Sequence, residues 1–205
     1  MSNFISIDPG NKKCGLLLAD IKSRKVIQAG IVSLNQFSVR TVHSAIANTN
    51  LEWNEGKLYN QTTAVRRQTD VAWIHDRNFL SMLLRMVKQI NRSARWNLNI
   101  TGVEPVQFGS YGEGGFYDWH IDQHPKIIKG TVRKISMTLF LNDDFEGGEF
   151  DLEIYKPGEQ QRYVTIHPKV NSAVFFLADQ WHRVRPVTAG HRKSLVAWFY
   201  GPPYA

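Results

Sequence analysis

Short apolar runs divided by turn residues open the chain. Residues 4–7, 14–19 and 26–32 are separated by Asp8-Pro9-Gly10 and by a polar stretch around Lys22, which predicts a three-strand meander. Ser38 can cap a helix whose Val39, Val42, Ala45 and Ile46 share one face. A longer helix is predicted over residues 76–95, where Phe79, Leu83, Met86 and Ile90 recur at helical spacing and basic residues occupy the far side. From residue 103 the period becomes two. Along residues 134–141, Ile135, Met137, Leu139 and Leu141 fall on one face, and Ser136, Thr138 and Phe140 on the other. Residues 173–177 and 194–200 are apolar runs suited to interior strands, and residues 146–149 and 156–159 read as turns. Many short strands behind two helices predict a mainly β, α+β fold: a β-sandwich or jelly roll with helices buttressing one sheet.

Composition narrows this picture. A chain of 205 residues that is 42% hydrophobic is long enough for a substantial core and too apolar to be disordered. No low-complexity tract or repeat divides it. The expected organisation is a β extension over residues 1–35 and one domain over 36–205, with helical support over 36–100 and a jelly-roll core over 101–205. The single cysteine, Cys14, excludes a disulfide scaffold and multi-cysteine zinc modules, and suits a reducing compartment. The first ten residues lack the basic and long apolar regions of a signal peptide, and no apolar run nears the roughly 18 residues of a spanning helix. The expectation is a cytoplasmic protein without a membrane partner. The net charge of +7 suggests a polyanionic partner. However, residues 1–100 carry 14 Lys and Arg against 6 Asp and Glu, whereas residues 101–205 carry 11 against 12. The basic excess belongs entirely to the first half.

The chemistry lies in the second half. In the segment from Tyr111 to Asp122, His120 and Asp122 are two residues apart, so on a strand they project from one face. A third ligand from a neighbouring strand would complete two histidines and one carboxylate on one face of a metal, leaving the opposite positions open, as non-haem Fe(II) oxygenases need. His182, after the apolar run ending at Leu177, is the natural candidate; His124, His167 and His191 are rivals of lower rank. Arg192 follows His182 by ten residues, with Pro186 and Gly190 allowing a reversal between them, and its guanidinium could fork onto a carboxylate. Residues 146–149, Glu-Gly-Gly-Glu, are assigned no role beyond a turn.

Taken together, these residues resemble the prolyl 4-hydroxylase type of 2-oxoglutarate- and Fe(II)-dependent dioxygenase, in its small microbial and viral form. The matching pattern is Tyr-Gly-x-Gly-Gly-x-Tyr-x-x-His-x-Asp over 111–122, then Arg133, Leu139-Phe140-Leu141, residues 146–149, His182, Pro186-Val187, Gly190, Arg192 and Trp198. The resemblance covers residues 103–203 specifically and extends more weakly over 66–96. It implies a double-stranded β-helix (cupin-like) fold, iron bound by His120, Asp122 and His182, and the distal carboxylate of 2-oxoglutarate bound by Arg192 with Tyr111. Ser136 stands where many members have Thr in the co-substrate site. Tyr117, Arg133 and Trp198 fall where the family lines its proline pocket. The implied reaction hydroxylates a proline in a protein or peptide, consumes O2 and converts 2-oxoglutarate to succinate, with ascorbate as a further candidate cofactor. A same-chemistry oxygenase on another substrate is the alternative. Separately, residues 4–20, with Asp8 in Ile-Asp-Pro-Gly, resemble the first hairpin of ribonuclease-H-like resolvases. That keeps a nucleic-acid-binding or processing role of the basic half as a ranked alternative, although nucleic acid is not the expected partner. One carboxylate is a poor magnesium site.

Overall fold

The structure is a computed structural model. It describes residues 36–56, 67–124, 126–154, 162–167 and 169–204, with the backbone of four short strands before residue 36. Asp8 and residues 156–159 lie outside the described residues. β1 (Asn3–Phe4), β2 (Leu18–Asp20) and β3 (Lys25–Val26) form a small antiparallel sheet. The third run of the expected meander is split, because β4 (Ala29–Ser33) instead pairs with a strand far along the chain. Pairing there covers an edge that would otherwise present open backbone groups.

α1 spans Gln36–Ala47, so it begins two residues before Ser38, the expected start. Val42 and Ala45 are buried on its inner face. After β5 (Asn54–Glu55), β6 (Arg67–Gln68) and β7 (Asp70–Ile74) comes α2 (Arg77–Ser93). Its N-cap is Asp76, whose carboxylate accepts from the Phe79 amide at 2.7 Å. Phe79, Met82, Leu83, Val87 and Ile90 are buried, and Arg77, Arg85, Lys88 and Arg92 are exposed on the opposite side. The basic face is therefore solvated. No helix among the described residues is long and apolar enough to cross a membrane.

The remaining strands are β8 (Gly102–Val103), β9 (Val106–Tyr111), β10 (Phe116–His120), β11 (Val132–Phe140), β12 (Glu146–Gly147), β13 (Phe150–Glu153), β14 (Tyr163–Ile166), β15 (Ser172–Leu177), β16 (His182–Val184), β17 (Val187–Ala189) and β18 (Arg192–Gly201). The larger sheet runs β4-β15-β11-β18-β9-β7-β5, with β8 on β18. The smaller runs β14-β13-β16-β10-β6, and β12 pairs with β17. This is a jelly roll with few helices, one of the two architectures that the alternation predicted.

The alternation also sorts side chains between two cores. Ile135, Met137, Leu139, Phe175, Leu195, Ala197 and Phe199 face the helices and pack with Phe79, Leu83 and Val87. The opposite face closes over the smaller sheet, where Phe140, Val174 and Phe176 meet Phe150, Leu152 and Val184. Each fully buried side chain of this size contributes roughly 1.5–3 kcal/mol. The second core leaves polar residues inside, among them Ser136, His182 and Arg192.

Candidate active site

His120 ends β10 and His182 opens β16, and the two are paired across these antiparallel strands. The register shifts between Tyr117 and His120, so a bulge at Asp118-Trp119 re-aims the end of β10. Asp122 lies past the strand, in a turn whose Asp122 and Gln123 amides both donate to the Ala178 carbonyl at 2.9 and 2.8 Å. Period-two alternation therefore does not bring His120 and Asp122 together. A bulge and a pinned turn do.

The ligand atoms of His120, Asp122 and His182 lie within 4.8 Å of one another, the only such group of three among the described residues. Nε2 of His120 is 3.9 Å from one carboxylate oxygen, and Nε2 of His182 is 3.5 Å from the other. Each ring has its Nδ1 against a carbonyl that can only accept: Asp118 at 2.7 Å and Gln180 at 3.0 Å. Each neutral ring therefore donates from Nδ1 and presents a lone pair from Nε2 towards the carboxylate. Asp122 Oδ2 is buried without a hydrogen-bond partner. Two inward lone pairs and an unsatisfied carboxylate oxygen are the donor set that suits a divalent transition ion. His124, His167 and His191 lie outside the group.

Electrostatics act on two members of the triad. Burial and the neighbouring His182 push His120 down to about 3. Burial opposes ionisation of Asp122, but the two histidines outweigh it and hold the carboxyl below its usual range. The Ser136 hydroxyl lowers it further while standing outside ordinary hydrogen-bond geometry. The His120 shift has a consequence for stability. An unfolded chain takes up a proton near pH 6.5 that the folded His120 refuses until about 3. The metal-free protein is therefore expected to lose stability progressively as pH falls from about 6.5 towards 3, read as a falling melting temperature; a His120→Asn variant should show a flatter profile.

The rings are tightly seated. His120 stacks on Tyr117 with centroids 3.4 Å apart, and the Arg67 guanidinium lies 4.6 Å from the Tyr117 centroid. Burial raises Tyr117 to about 12, so its phenol stays neutral. His182 packs against Phe176 at 4.6 Å and Phe150 at 5.6 Å. Arg67 carried no expectation from the sequence. Its pairing with Tyr117 across β6 and β10 places it there.

Within the second core, whose Phe150 and Phe176 also pack on His182, Arg192 is 1% exposed. Its Nε donates to the Gly148 carbonyl and its Nη1 to the Ser194 hydroxyl, both at 2.9 Å, while its Nη2 has no partner. Phe140 and Tyr111 rings flank it at 5.4 and 5.2 Å. Burial lowers its pKa only to about 10, so it stays charged at neutral pH. A buried cation with no carboxylate against it among the described residues is costly unless an anion completes the site.

Two contributors were not singled out from the sequence. Ser194 is legible in retrospect, because Arg192-x-Ser194 on a strand shares one face. Gly148 is the second. Its φ is +63°, and a Cβ there would meet Arg192 Cδ at 2.9 Å. Residues 146–149, assigned only a turn, thus also supply strand β12 and cradle the arginine. Gly148→Ala is expected to cost about 1–2 kcal/mol and to weaken anion binding at Arg192, checked by denaturant unfolding and by titration with 2-oxoglutarate.

Nearer the mouth, Arg133 is clamped by Glu104 at 2.7 and 2.6 Å and lies 3.9 Å over the Trp198 ring, which tilts against Trp73 at 6.1 Å. Ser136 pairs with Trp198 on this side, beside Asp122 and away from the Arg192 end of β18.

Residues 106–200 match the model of the 2OG-Fe(II) oxygenase superfamily. They form a 2OG-Fe(II) oxygenase domain. Among curated relatives, a PKHD-type hydroxylase of Hyphomonas neptunium is 29% identical over 72% of this chain and 67% of its own length. One of Pseudomonas fluorescens is 34% identical over 47% of this chain and 43% of its own. The chain spans about two thirds of the first and under half of the second. In fold, the chain resembles a Pseudomonas putida prolyl-4-hydroxylase (TM-score 0.61, 20% identity, 84% of this chain and 92% of that one). It also resembles a prolyl hydroxylase of Trichoplax adhaerens solved with a peptide of hypoxia inducible factor (0.62, 22%, 84% and 83%). The family implies Fe(II), 2-oxoglutarate and O2.

Proposed function

We propose that this oxygenase hydroxylates a peptidyl proline in the manner of prolyl 4-hydroxylases, coupled to decarboxylation of 2-oxoglutarate to succinate. The observation that carries the co-substrate half is the buried, incompletely satisfied guanidinium of Arg192 in the core that also packs on His182. A dicarboxylic acid is the ligand that engages both places: one end at the metal, the other at Nη2. In this reading His120 and His182, held by their carbonyl bonds, and ionised Asp122 bind Fe(II), and Tyr111 borders the distal carboxylate with Arg192. Iron and 2-oxoglutarate together supply the oxidising chemistry with O2. The chain's own part is to fix ligand rings, neutralise the carboxylate and keep water out of the Phe140-Tyr111 end.

The substrate half rests on the mouth. In this reading Tyr117, Trp198 and Arg133 line the place of a compact, apolar pyrrolidine ring, and Glu104 fixes Arg133 over Trp198. The peptide-bound Trichoplax enzyme and the hydroxylase names of the curated relatives support this reading. Ascorbate would serve only as an external reductant; no residue is assigned to it. A same-chemistry oxygenase on another substrate predicts succinate formation without a modified proline. The test is mass spectrometry of lysate peptides after incubation with the enzyme, Fe(II) and 2-oxoglutarate. Oxygen added to proline is the expected result, and oxygen added only elsewhere contradicts it.

A further inference from the structure

A groove of about 460 Å³ opens beside the mouth, with Glu104 and Arg133 at its inner end, Tyr200 on one wall and His124, Lys126 and Lys129 among its outer residues. The inner end reaches the triad, because Arg133 Nη1 donates to the Asp122 carbonyl at 3.3 Å. Glu104 does not set the charge of the groove, since Arg133 holds both its carboxylate oxygens. That pair is neutral as a unit. Lys126 and Lys129 are exposed, and no ion pair among the described residues engages either.

Lys129 is held in place by the backbone. Lys129 and Gly130 have φ of +49° and +73°, and Ile128 and Thr131 exchange both backbone hydrogen bonds at 3.1 and 2.9 Å. Two central residues at positive φ make a tight hairpin turn of the kind that follows strand twist. Ile127 and Ile128, 59% and 42% exposed, add apolar surface to the same loop. The outer part of the groove therefore combines a fixed backbone, apolar contact area and two ammonium groups without acidic partners.

We infer that this groove receives the stretch of peptide adjoining the oxidised residue and selects acidic side chains in it. The inference rests on the peptidyl reading above. The groove adjoins the triad through the Arg133–Asp122 contact, so a chain that places its target residue at the triad and leaves along it, advancing about 3.3 Å per residue, passes the lysines within a few positions. Carboxylates there meet unpaired cations beside apolar surface, whereas lysines there meet like charge.

The test uses the full chain with Fe(II) and 2-oxoglutarate under nitrogen, and two fluorescein-labelled decapeptides without proline, one rich in glutamate and one in lysine. The glutamate peptide is expected to bind at least about tenfold more tightly. The double substitution K126E/K129E should abolish that preference. R85E/K88E, an equal charge change on the solvated face of α2, should preserve it. Equal binding of the two peptides, binding by neither, or equal loss in both double variants overturns the inference. The proline reading is judged separately by oxygen added to a proline-containing peptide, so acidic binding without proline oxidation keeps the groove and removes the proline.

Discussion

Asp122→Asn is expected to abolish Fe(II)-dependent turnover, lowering succinate production by at least about a thousandfold, while the metal-free fold survives. The carboxylate is the only anion of the triad, and it stands against two histidine rings. Asparagine keeps the shape but removes the charge that attracts a divalent ion. Its effect on the fold should be small, because Asp122 is held by its backbone: its amide bonds to Ala178, and Oδ2 has no partner to lose. The check pairs a turnover assay with Fe(II) or Co(II) titration and a melting curve of the metal-free protein. Retained metal affinity in the variant would show that the triad is not the metal centre.

Replacing Arg192 should separate binding from stability. Arg192→Met is expected to raise the KM for 2-oxoglutarate by about a hundredfold, in line with the loss of one partner from a buried charge pair. Yet the metal-free variant should lose little thermal stability, because relief of the guanidinium's desolvation, with no carboxylate against it among the described residues, offsets the bonds lost to Gly148 and Ser194. Addition of 2-oxoglutarate should raise the melting temperature of the parent and not of the variant. A variant that unfolds sooner and binds the co-substrate normally would instead assign Arg192 to the core.

The larger sheet was legible because it is built from unbroken alternation. Ile135, Met137 and Leu139 fall together in the core beneath the helices, and Ser136, Thr138 and Phe140 face the barrel, as their period requires. The members of the site were legible as a constellation of spaced residues, but their geometry was not. Regular alternation accounts for His120 and Asp122 on one strand, whereas the strand bulges at Asp118 and stops before Asp122. Bulges depend on pairing with β16 and β6, which are distant in sequence. Gly148 is hidden for a similar reason: a Gly-Gly turn has many uses, and its contact with Arg192 spans 44 positions. Arg67 sits on a two-residue strand with no periodic signal of its own. At the other end, α1 starts before Ser38 because helix starts tolerate a shift of a residue or two.

The most direct measurement of the account is anaerobic absorption spectroscopy of the Fe(II)-loaded protein on addition of 2-oxoglutarate. Chelation of the co-substrate by iron held at His120, Asp122 and His182 predicts a visible metal-to-ligand charge-transfer band that saturates with one equivalent. Asp122→Asn should not form it, and Arg192→Met should form it only at much higher co-substrate concentration. No band in the parent protein, or an equal band in Asp122→Asn, would contradict the account.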